Sequence, residues 1–368
     1  MSRRRTSRID AFIAHHEWAT RPPDQRYTTL EDLLGAARAR RAFTVEYETS
    51  PSELRAVASD DHAIHVLDAT QTPTALTHWS FGQLADAAAA PAAYLRRLPA
   101  SLAVDNLNHG LARRSRKTQL YVDRSAHRTL LALTSPTYAR VHHDRVVHDV
   151  LDITARHPQW HLPLAYKDGE WGAERVPSGA YMSDRDLFLF LVDSDRTLDD
   201  PVDPTHPLGR GFIVQSSDVA SAKLRVHCFL FRYVCGNHII WGFQHIVSFE
   251  RRHVGDPAAI ELEFVQSLHN VEKALDADTT DDRTRLLRAA RTELGATRDD
   301  LIDVVTTRTT ITRKQAQAAY DLAETSEPNP RSYWGFAQGL TRLAQSTQWQ
   351  DQRFALDRAA SQLLTRLN

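Results

Sequence analysis

The spacing of apolar residues changes along the chain, and each change marks a predicted element. The first section is a polar arm that leads into a short helix at 30–42 and a strand at 42–48. The next section has helical spacing and starts at Ser80, which is placed to cap the first helix. Because proline cannot continue a helix, the pattern predicts breaks at Pro91 and Pro99.

The middle of the chain is rich in strand patterns. "TQLYVDRS" and "RTLLALTS" predict two paired strands, and "GFIVQSSD" predicts another. "DLFLFLVDSD", at 186–195, is a short continuous apolar run, which is typical of a buried central strand. After Asp256 the helical spacing returns, and capping boxes start at Thr297 and Thr312. The apolar positions of the first helix after Asp256 are Ile260, Phe264, Leu268, Val271 and Leu275.

These patterns together predict an α+β fold: an antiparallel β-sheet core with flanking helices and a helical C-terminal third. We divide the chain into an N-terminal arm with a short helix and strand (1–55), an α+β core (56–255) and a helical region packed on that core (256–368). The apolar and charged fractions, 42% and 25%, are those of an ordinary soluble protein.

One hairpin is predicted in detail from "FLFRYVCGNHIIWGFQ", at 229–244. If Gly236 and Asn237 form a two-residue loop, Cys235 lies opposite His238, because Gly and Asn tolerate the positive φ angles of such turns. Followed outward, this register gives one nearly all-apolar face, as a core-facing surface requires. Its outer pairs are Cys228 with His245, which we interpret as buried packing, and then Val226 with Val247 and Leu224 with Phe249.

The opposite face of the same strand suggests nucleic-acid binding. Basic side chains at one end of a strand, followed by a row of aromatic rings, can hold phosphates and stack bases. The alternative is that C-terminal helices cover the rings and leave Lys223 and Glu250 as an ordinary ion pair. The candidate residues on this face are Lys223, Arg225, Phe229, Phe231 and Tyr233.

A second basic stretch, "LARRSRKTQLYVDRSAHR", has the same character. It carries six Arg or Lys against a single acid, Asp123, so it is either a solvated surface or an edge that binds nucleic acid. The candidates here are Arg113, Arg114, Arg116, Lys117 and Tyr121.

A catalytic interpretation of the hairpin stays open beside the turn interpretation. Cys235 as a thiolate and His238 as its base would be within reach of each other. A nucleophile also needs an oriented base and an oxyanion site, and the sequence indicates neither. The weak catalytic candidates are Asp218, Cys235, Asn237 and His238.

Other signatures of chemistry are missing from the sequence. It has no P-loop, GxGxxG, HExxH or CxxC motif, so we predict neither a cofactor nor a metal site. A net charge of −1 excludes a globally basic nucleic-acid binder but not a local basic patch. Forty of the 45 basic residues are arginine, which suits phosphate recognition but is explained more simply by a GC-rich genome.

The compartment is predicted from what the chain lacks. Two cysteines are too few for a disulfide framework, which fits a reducing cytoplasm. No apolar run approaches the roughly 20 residues of a membrane helix. The basic start "MSRRRTSRIDAF" is not followed by the apolar segment of a secretory signal.

The stretch "GFIVQSSDVASAKLRVHCFLFRYVCGNHIIWG" resembles the central signature of a bacterial domain-of-unknown-function family of phage/plasmid-like proteins (DUF932-like). That family's pattern is Asn-Ser-Glu-Val-Gly, then a strand, then Arg-x-Val-Cys-x-Asn-Gly. The blocks "FGQLADAAAAPAAYLRRLP", "LTSPTYARVHHDRVV", "FERRH" and "SYWGFAQGLTRLAQ" also occur in the family's order, so the resemblance spans roughly 50–368. The chain departs from the pattern at Ser216, Asp218 and His238.

The resemblance implies genes of phages, plasmids and integrated elements, and it carries no catalytic or binding residues. The leading hypothesis is a mobile-element protein that binds nucleic acid, most simply single-stranded DNA, in replication, recombination or defence evasion. A hydrolytic or nucleotide-processing enzyme is the alternative from another class. A decoy that binds a host protein through its helical third is the other alternative, and a homo-oligomer is compatible with each of the three.

Overall fold

The computed structural model describes residues 21–60, 63–166, 174–203, 207–232, 238–239, 248–277, 280–347 and 350–367. Within these ranges the strands form a six-stranded and an eight-stranded sheet and one short strand pair, and helices pack against both large sheets. The predicted α+β class with a helical C-terminal third is confirmed.

The described strands are, in chain order, β1 (Arg26–Tyr27), β2 (Thr44–Thr49), β3 (Arg55–Ala58), β4 (Ile64–Leu67), β5 (Thr74–Leu76), β6 (Thr118–Asp123), β7 (Thr129–Thr134), β8 (Trp160–His161), β9 (Leu164–Tyr166), β10 (Arg175–Pro177), β11 (Ala180–Met182), β12 (Leu187–Leu198), β13 (Leu208–Ser216), β14 (Leu224–Arg232), β15 (His238–Ile239) and β16 (Ser248–Arg251). The described helices are α1 (Leu30–Phe43), α2 (His78–Ala87), α3 (Ala92–Leu95), α4 (Ala100–Leu111), α5 (His143–Arg156), α6 (Pro257–Asp276), α7 (Thr280–Arg291), α8 (Arg298–Arg308), α9 (Arg313–Ser326), α10 (Tyr333–Gln345) and α11 (Gln350–Thr365).

The smaller sheet has the order β2-β6-β7-β5-β4-β3, with β5 and β7 parallel and the other neighbours antiparallel. Leu120 and Val122 of β6 bury one face of it against α2 and α4. The predicted pairing of β6 with β7 is confirmed. The domain boundary predicted after residue 55 falls at the start of β3, and β2 and β3 belong to the same sheet.

The cap of α2 differs from the expectation. Thr77, not Ser80, is the N-cap: its hydroxyl accepts the backbone N–H of Ser80 at 3.0 Å. Ser80 lies three residues into the helix, and its hydroxyl accepts the backbone N–H of Thr77 at 2.9 Å. The two residues therefore form a reciprocal capping box. Because Ser and Thr are both favoured N-cap residues, the residue types do not show which of the two is the N-cap. The boxes at Thr297 and Thr312 are confirmed.

The larger sheet has the order β1-β11-β12-β13-β14-β15, and β16 and β8 pair with β14 and β12. The apolar run at 186–195 is its central strand β12, as predicted. One face of this sheet forms a continuous core with α1, α5 and the C-terminal helices. The apolar positions predicted for α6 are all buried in that core.

The register predicted for the 229–244 hairpin is wrong. Val226 lies opposite Phe249, two residues from the expected partner, and Leu230 lies opposite Ile239. His238 lies opposite Phe231 rather than Cys235. Both shifts are even-numbered, and since side chains alternate with period two, the predicted core face of β14 is kept. An apolar pattern therefore defined the face without defining the pairing.

Candidate functional site

The residues that follow β13, Ser217 to Ser221, form a loop between the two sheets, here called the 217–221 loop. Val219 packs against residues of β6 and β7, and Trp79 lies beside it. The indole N–H of Trp79 and the amide of Gln83 donate to the carbonyl oxygen of Val219 at 2.8 and 2.9 Å. The hydroxyl of Tyr138 donates to the carbonyl oxygen of Ser217 at 2.8 Å. Side chains from the smaller-sheet side thus hold the carbonyl groups of Ser217 and Val219.

Its other anchor is the turn between β11 and β12. The hydroxyls of Ser217 and Ser221 each donate to the carbonyl oxygen of Arg185 at 2.8 Å. The Ser217 hydroxyl also accepts the backbone N–H groups of Val219 and Ser221, at 3.2 and 3.0 Å. The loop is therefore fixed by hydrogen bonds on both sides.

Asp218, one of the weak catalytic candidates, is the buried charge of this loop and is only 2% exposed. The hydroxyl of Tyr121 donates to its Oδ2 at 3.2 Å, and Arg40 Nη2 lies 3.6 Å from its Oδ1. Its backbone N–H donates to His143 Nε2 at 3.2 Å. Residues from α1, β6 and α5 thus converge on one carboxylate.

These contacts determine the protonation states. Burial alone would raise the pKa of Asp218, but the charges of His143, which is protonated in the acid range where Asp218 titrates, and of Arg40 and Arg140 lower it to about 2. Burial lowers the pKa of His143 to about 4, against the opposing effect of Asp218. At neutral pH the aspartate is therefore ionised and the histidine is neutral, and Nε2 acts as the acceptor.

Arg140 connects this cluster to the surface. Its guanidinium lies 4.1 Å from the ring centre of Tyr121 and 5.0 Å from that of Tyr138, and it donates to the carbonyl oxygen of Asp218. Its Nε lies 3.1 Å from a carboxylate oxygen of Glu46, which also faces His142 Nε2 at 3.2 Å. Burial raises the pKa of both tyrosines, so their hydroxyls stay protonated.

This cluster supports a structural role better than a catalytic one. Asp218 and His143 are 2% and 3% exposed. A general acid or base must come within hydrogen-bonding reach of its substrate. The groups that surround Asp218 instead join the two sheets and α1, so we interpret the cluster as the polar contact that fixes their relative position.

The remaining catalytic candidates are not brought together in the described part of the chain. Cys235 and Asn237 lie outside the described residues. Only the backbone of His238 is described, and it pairs with Phe231. The Cys–His hypothesis stays a prediction, without the direct cross-strand pairing on which it was based.

The basic turn between α4 and β6, residues 112–117, agrees with the nucleic-acid hypothesis. Arg113, Arg114 and Arg116 are exposed, and among the described residues no ion pair joins them to an acid. Lys117 is exposed but lies 3.0 Å from Glu48. The carbonyl oxygen of Arg114 accepts the backbone N–H of Ser52 at 3.1 Å. The backbone of the turn is thus anchored while three exposed guanidinium groups extend from it, that of Arg113 in contact with the His109 ring.

Two of the candidate stacking residues are buried, so neither ring is available to stack on a base. Tyr121 is 1% exposed and belongs to the Asp218 cluster. Phe229 is fully buried, with its ring 4.6 Å from that of Phe190. It also fills the space above Gly211, where an added Cβ would lie 2.5 Å from the Phe229 ring. Of Phe231 only the backbone is described, and Tyr233 lies outside the described residues.

Lys223 and Arg225 are engaged with a carboxylate. Lys223 Nζ and Arg225 Nε lie 3.0 and 3.7 Å from Glu250, so the ion-pair alternative is confirmed for Lys223. Arg358 of α11 lies 3.4 Å from the same carboxylate, a contact across more than 100 residues that the sequence did not predict. A phosphate would have to compete with Glu250 for these cations.

Comparisons with protein-family models, with curated proteins and with solved structures give no match to this chain. The resemblance to the phage/plasmid-like family stays a prediction. In the described residues no three His, Cys, Asp or Glu side chains are grouped so that they could hold a metal ion. None of the described helices is long and apolar enough to span a membrane.

Ala220 offers a test of strain in the 217–221 loop. Its φ of 66° lies in the left-handed region, which costs a residue with a Cβ roughly 1–2 kcal/mol. We expect Ala220→Gly to raise the free energy of unfolding by about 1 kcal/mol in urea titrations. Ala37→Gly, inside α1, is the control and should lower it by a similar amount or more. A destabilising Ala220→Gly would contradict this account.

Proposed function

We propose that the protein binds nucleic acid through the exposed basic turn at 112–117. The observation that carries the proposal is the anchored turn with three guanidinium groups in solvent, at Arg113, Arg114 and Arg116. Guanidinium forks suit phosphate oxygens, and phosphate contacts supply most of the sequence-independent affinity for nucleic acids. In line with the family resemblance, the proposed partner is DNA of a mobile element, in single-stranded form, during replication, recombination or defence evasion.

The distribution of charge supports this placement. The segment 87–118, which contains α3, α4 and the turn, has six Arg or Lys residues and one acid, Asp105. It carries a formal charge of +5 in a chain with a total of −1. A local excess of this size attracts a polyanion even though the protein as a whole is almost neutral.

Arg113, Arg114 and Arg116 replaced together by alanine are expected to weaken binding to a single-stranded oligonucleotide. Three lost phosphate contacts should reduce the slope of log K against log salt by about 2, since each contact on a single strand contributes roughly 0.7. Fluorescence anisotropy at several salt concentrations measures both quantities.

The matched control removes the same charge elsewhere: Arg288, Arg291 and Arg366, all exposed, replaced by alanine. It should leave the slope within about 0.5 of the wild type. If both triple variants bind more weakly than the wild type by the same factor and show the same decrease in slope, binding depends on net charge and the turn is not the site.

A further inference from the structure

The burial of Tyr121 and Phe229 removes two of the rings on which the preference for single strands was based. Another aromatic residue of the basic segment is exposed. Tyr94, in the short helix α3, is 56% exposed. Its backbone N–H donates to the carbonyl oxygen of Pro91 at 3.0 Å, so an ordered turn carries the ring.

α3 and the basic turn each follow, along the chain, a residue of one close contact between α2 and α4. Gly110, in the last turn of α4, touches the end of α2 so closely that an added Cβ would lie 2.1 Å from the carbonyl oxygen of Ala88. The segment with Tyr94 starts at Pro91, three residues after Ala88. The basic turn starts at residue 112, two residues after Gly110. Tyr94 therefore lies on the segment that connects the end of α2 to the start of α4, and the basic turn follows the end of α4.

The surroundings of Tyr94 are also basic. Arg97 is exposed and has no ion pair within the described ranges. Arg96 is held in place, since its guanidinium donates to the carbonyl oxygen of His78 at 2.8 Å and lies 5.1 Å from the ring centre of Phe81. No acid occurs between Pro91 and Arg97. An exposed ring next to exposed arginine side chains is the arrangement that single-strand binding surfaces use.

We infer that Tyr94 stacks on a base of a single-stranded nucleic acid whose phosphates contact Arg97 and the basic turn. The inference rests on the proposed function and names the residue that would select the single-stranded form. A duplex offers its phosphates to the arginines but keeps its bases stacked on one another. Stacking on Tyr94 therefore adds affinity only for the single strand, and the ring, not the hydroxyl, is the group that matters.

The test compares a fluorescein-labelled oligothymidylate of about 15 nucleotides with a mixed-sequence duplex of the same length, by anisotropy at about 50 mM salt. Tyr94→Ala should weaken binding to the single strand about 10-fold or more and leave duplex binding within about twofold. Tyr94→Phe should stay within about threefold of the wild type for both. Phe43→Ala removes a ring of similar exposure, 55%, outside the basic segment and should change neither.

The outcomes separate this inference from the proposed function. If Tyr94→Ala binds the single strand like the wild type, or weakens both ligands equally, stacking on Tyr94 is wrong. The proposed function still stands in that case if the triple arginine variant binds more weakly and has a smaller slope of log K against log salt. If the wild-type protein binds neither the single strand nor the duplex at about 50 mM salt, both proposals are wrong.

Discussion

Asp218→Asn is expected to lower the free energy of unfolding by about 3–5 kcal/mol, the cost of removing one partner from a buried charge pair. The substitution keeps the size of the side chain but leaves the Arg40 guanidinium, 15% exposed, without its carboxylate. It also replaces the ionised oxygen that accepts the hydrogen bond of the Tyr121 hydroxyl with a neutral one. Urea titration at pH 7, followed by circular dichroism, measures the change.

The control for this prediction is Asp184→Asn. Asp184 is exposed, and its backbone carbonyl oxygen accepts from the same Arg40 guanidinium at 3.4 Å. Removing its charge should change stability by no more than about 0.5 kcal/mol. If Asp218→Asn costs less than about 1 kcal/mol, the cluster does not hold the sheets together, and a chemical role for Asp218 becomes the better explanation.

Acid is expected to destabilise the protein well above the pH at which carboxylates titrate. Burial lowers the pKa of His143, His227 and His253 to about 4 in the folded protein. Their pKa is about 6.5 in an unfolded chain, so the unfolded state takes up protons first as the pH falls. The stability that these neutral histidines contribute is complete above pH 6.5 and is lost towards pH 4, by up to about 3 kcal/mol for each.

Asp218 adds a second loss at lower pH. Its folded pKa of about 2 lies below the ordinary value of 3.8, so its contribution is present above pH 3.8 and disappears between 3.8 and 2. Urea titrations at half-unit steps from pH 7 to 4.5 test the histidine part. His253→Asn can keep the hydrogen bond to the carbonyl oxygen of Ala139. It should reduce the number of protons taken up on unfolding, which the slope of stability against pH measures, by one. A flat profile from pH 7 to 4.5 would contradict the burial of these histidines.

The sequence predicted elements whose signals are local. The apolar run of β12, the pairing of β6 with β7, and the capping boxes at Thr297 and Thr312 each depend on residues close together in the chain. The hairpin register failed because apolar alternation is unchanged by an even shift. The two-fold spacing on β14 gave the core face and nothing about which residues lie opposite each other.

The candidate site was predicted only in part. Exposure of the basic turn follows from its charge, and the sequence indicated it. The sequence left open whether the candidate rings are covered, because the elements that pack over a strand come from distant parts of the chain; Tyr121 and Phe229 are both buried. Arg40, Arg140 and His143 were missed as partners of Asp218, since all three are distant from it in the chain. A sign that could have indicated Arg140 is its place between Ala139 and Val141, which are both buried.

The most direct test of the central claim is the affinity of the wild-type protein for a labelled single-stranded oligonucleotide at about 50 and 200 mM salt. Three phosphate contacts predict that the dissociation constant rises roughly 20-fold over this range. Binding that weakens in this way would support nucleic-acid recognition by the basic turn. No binding at the lower salt, or an affinity that salt does not change, would contradict it.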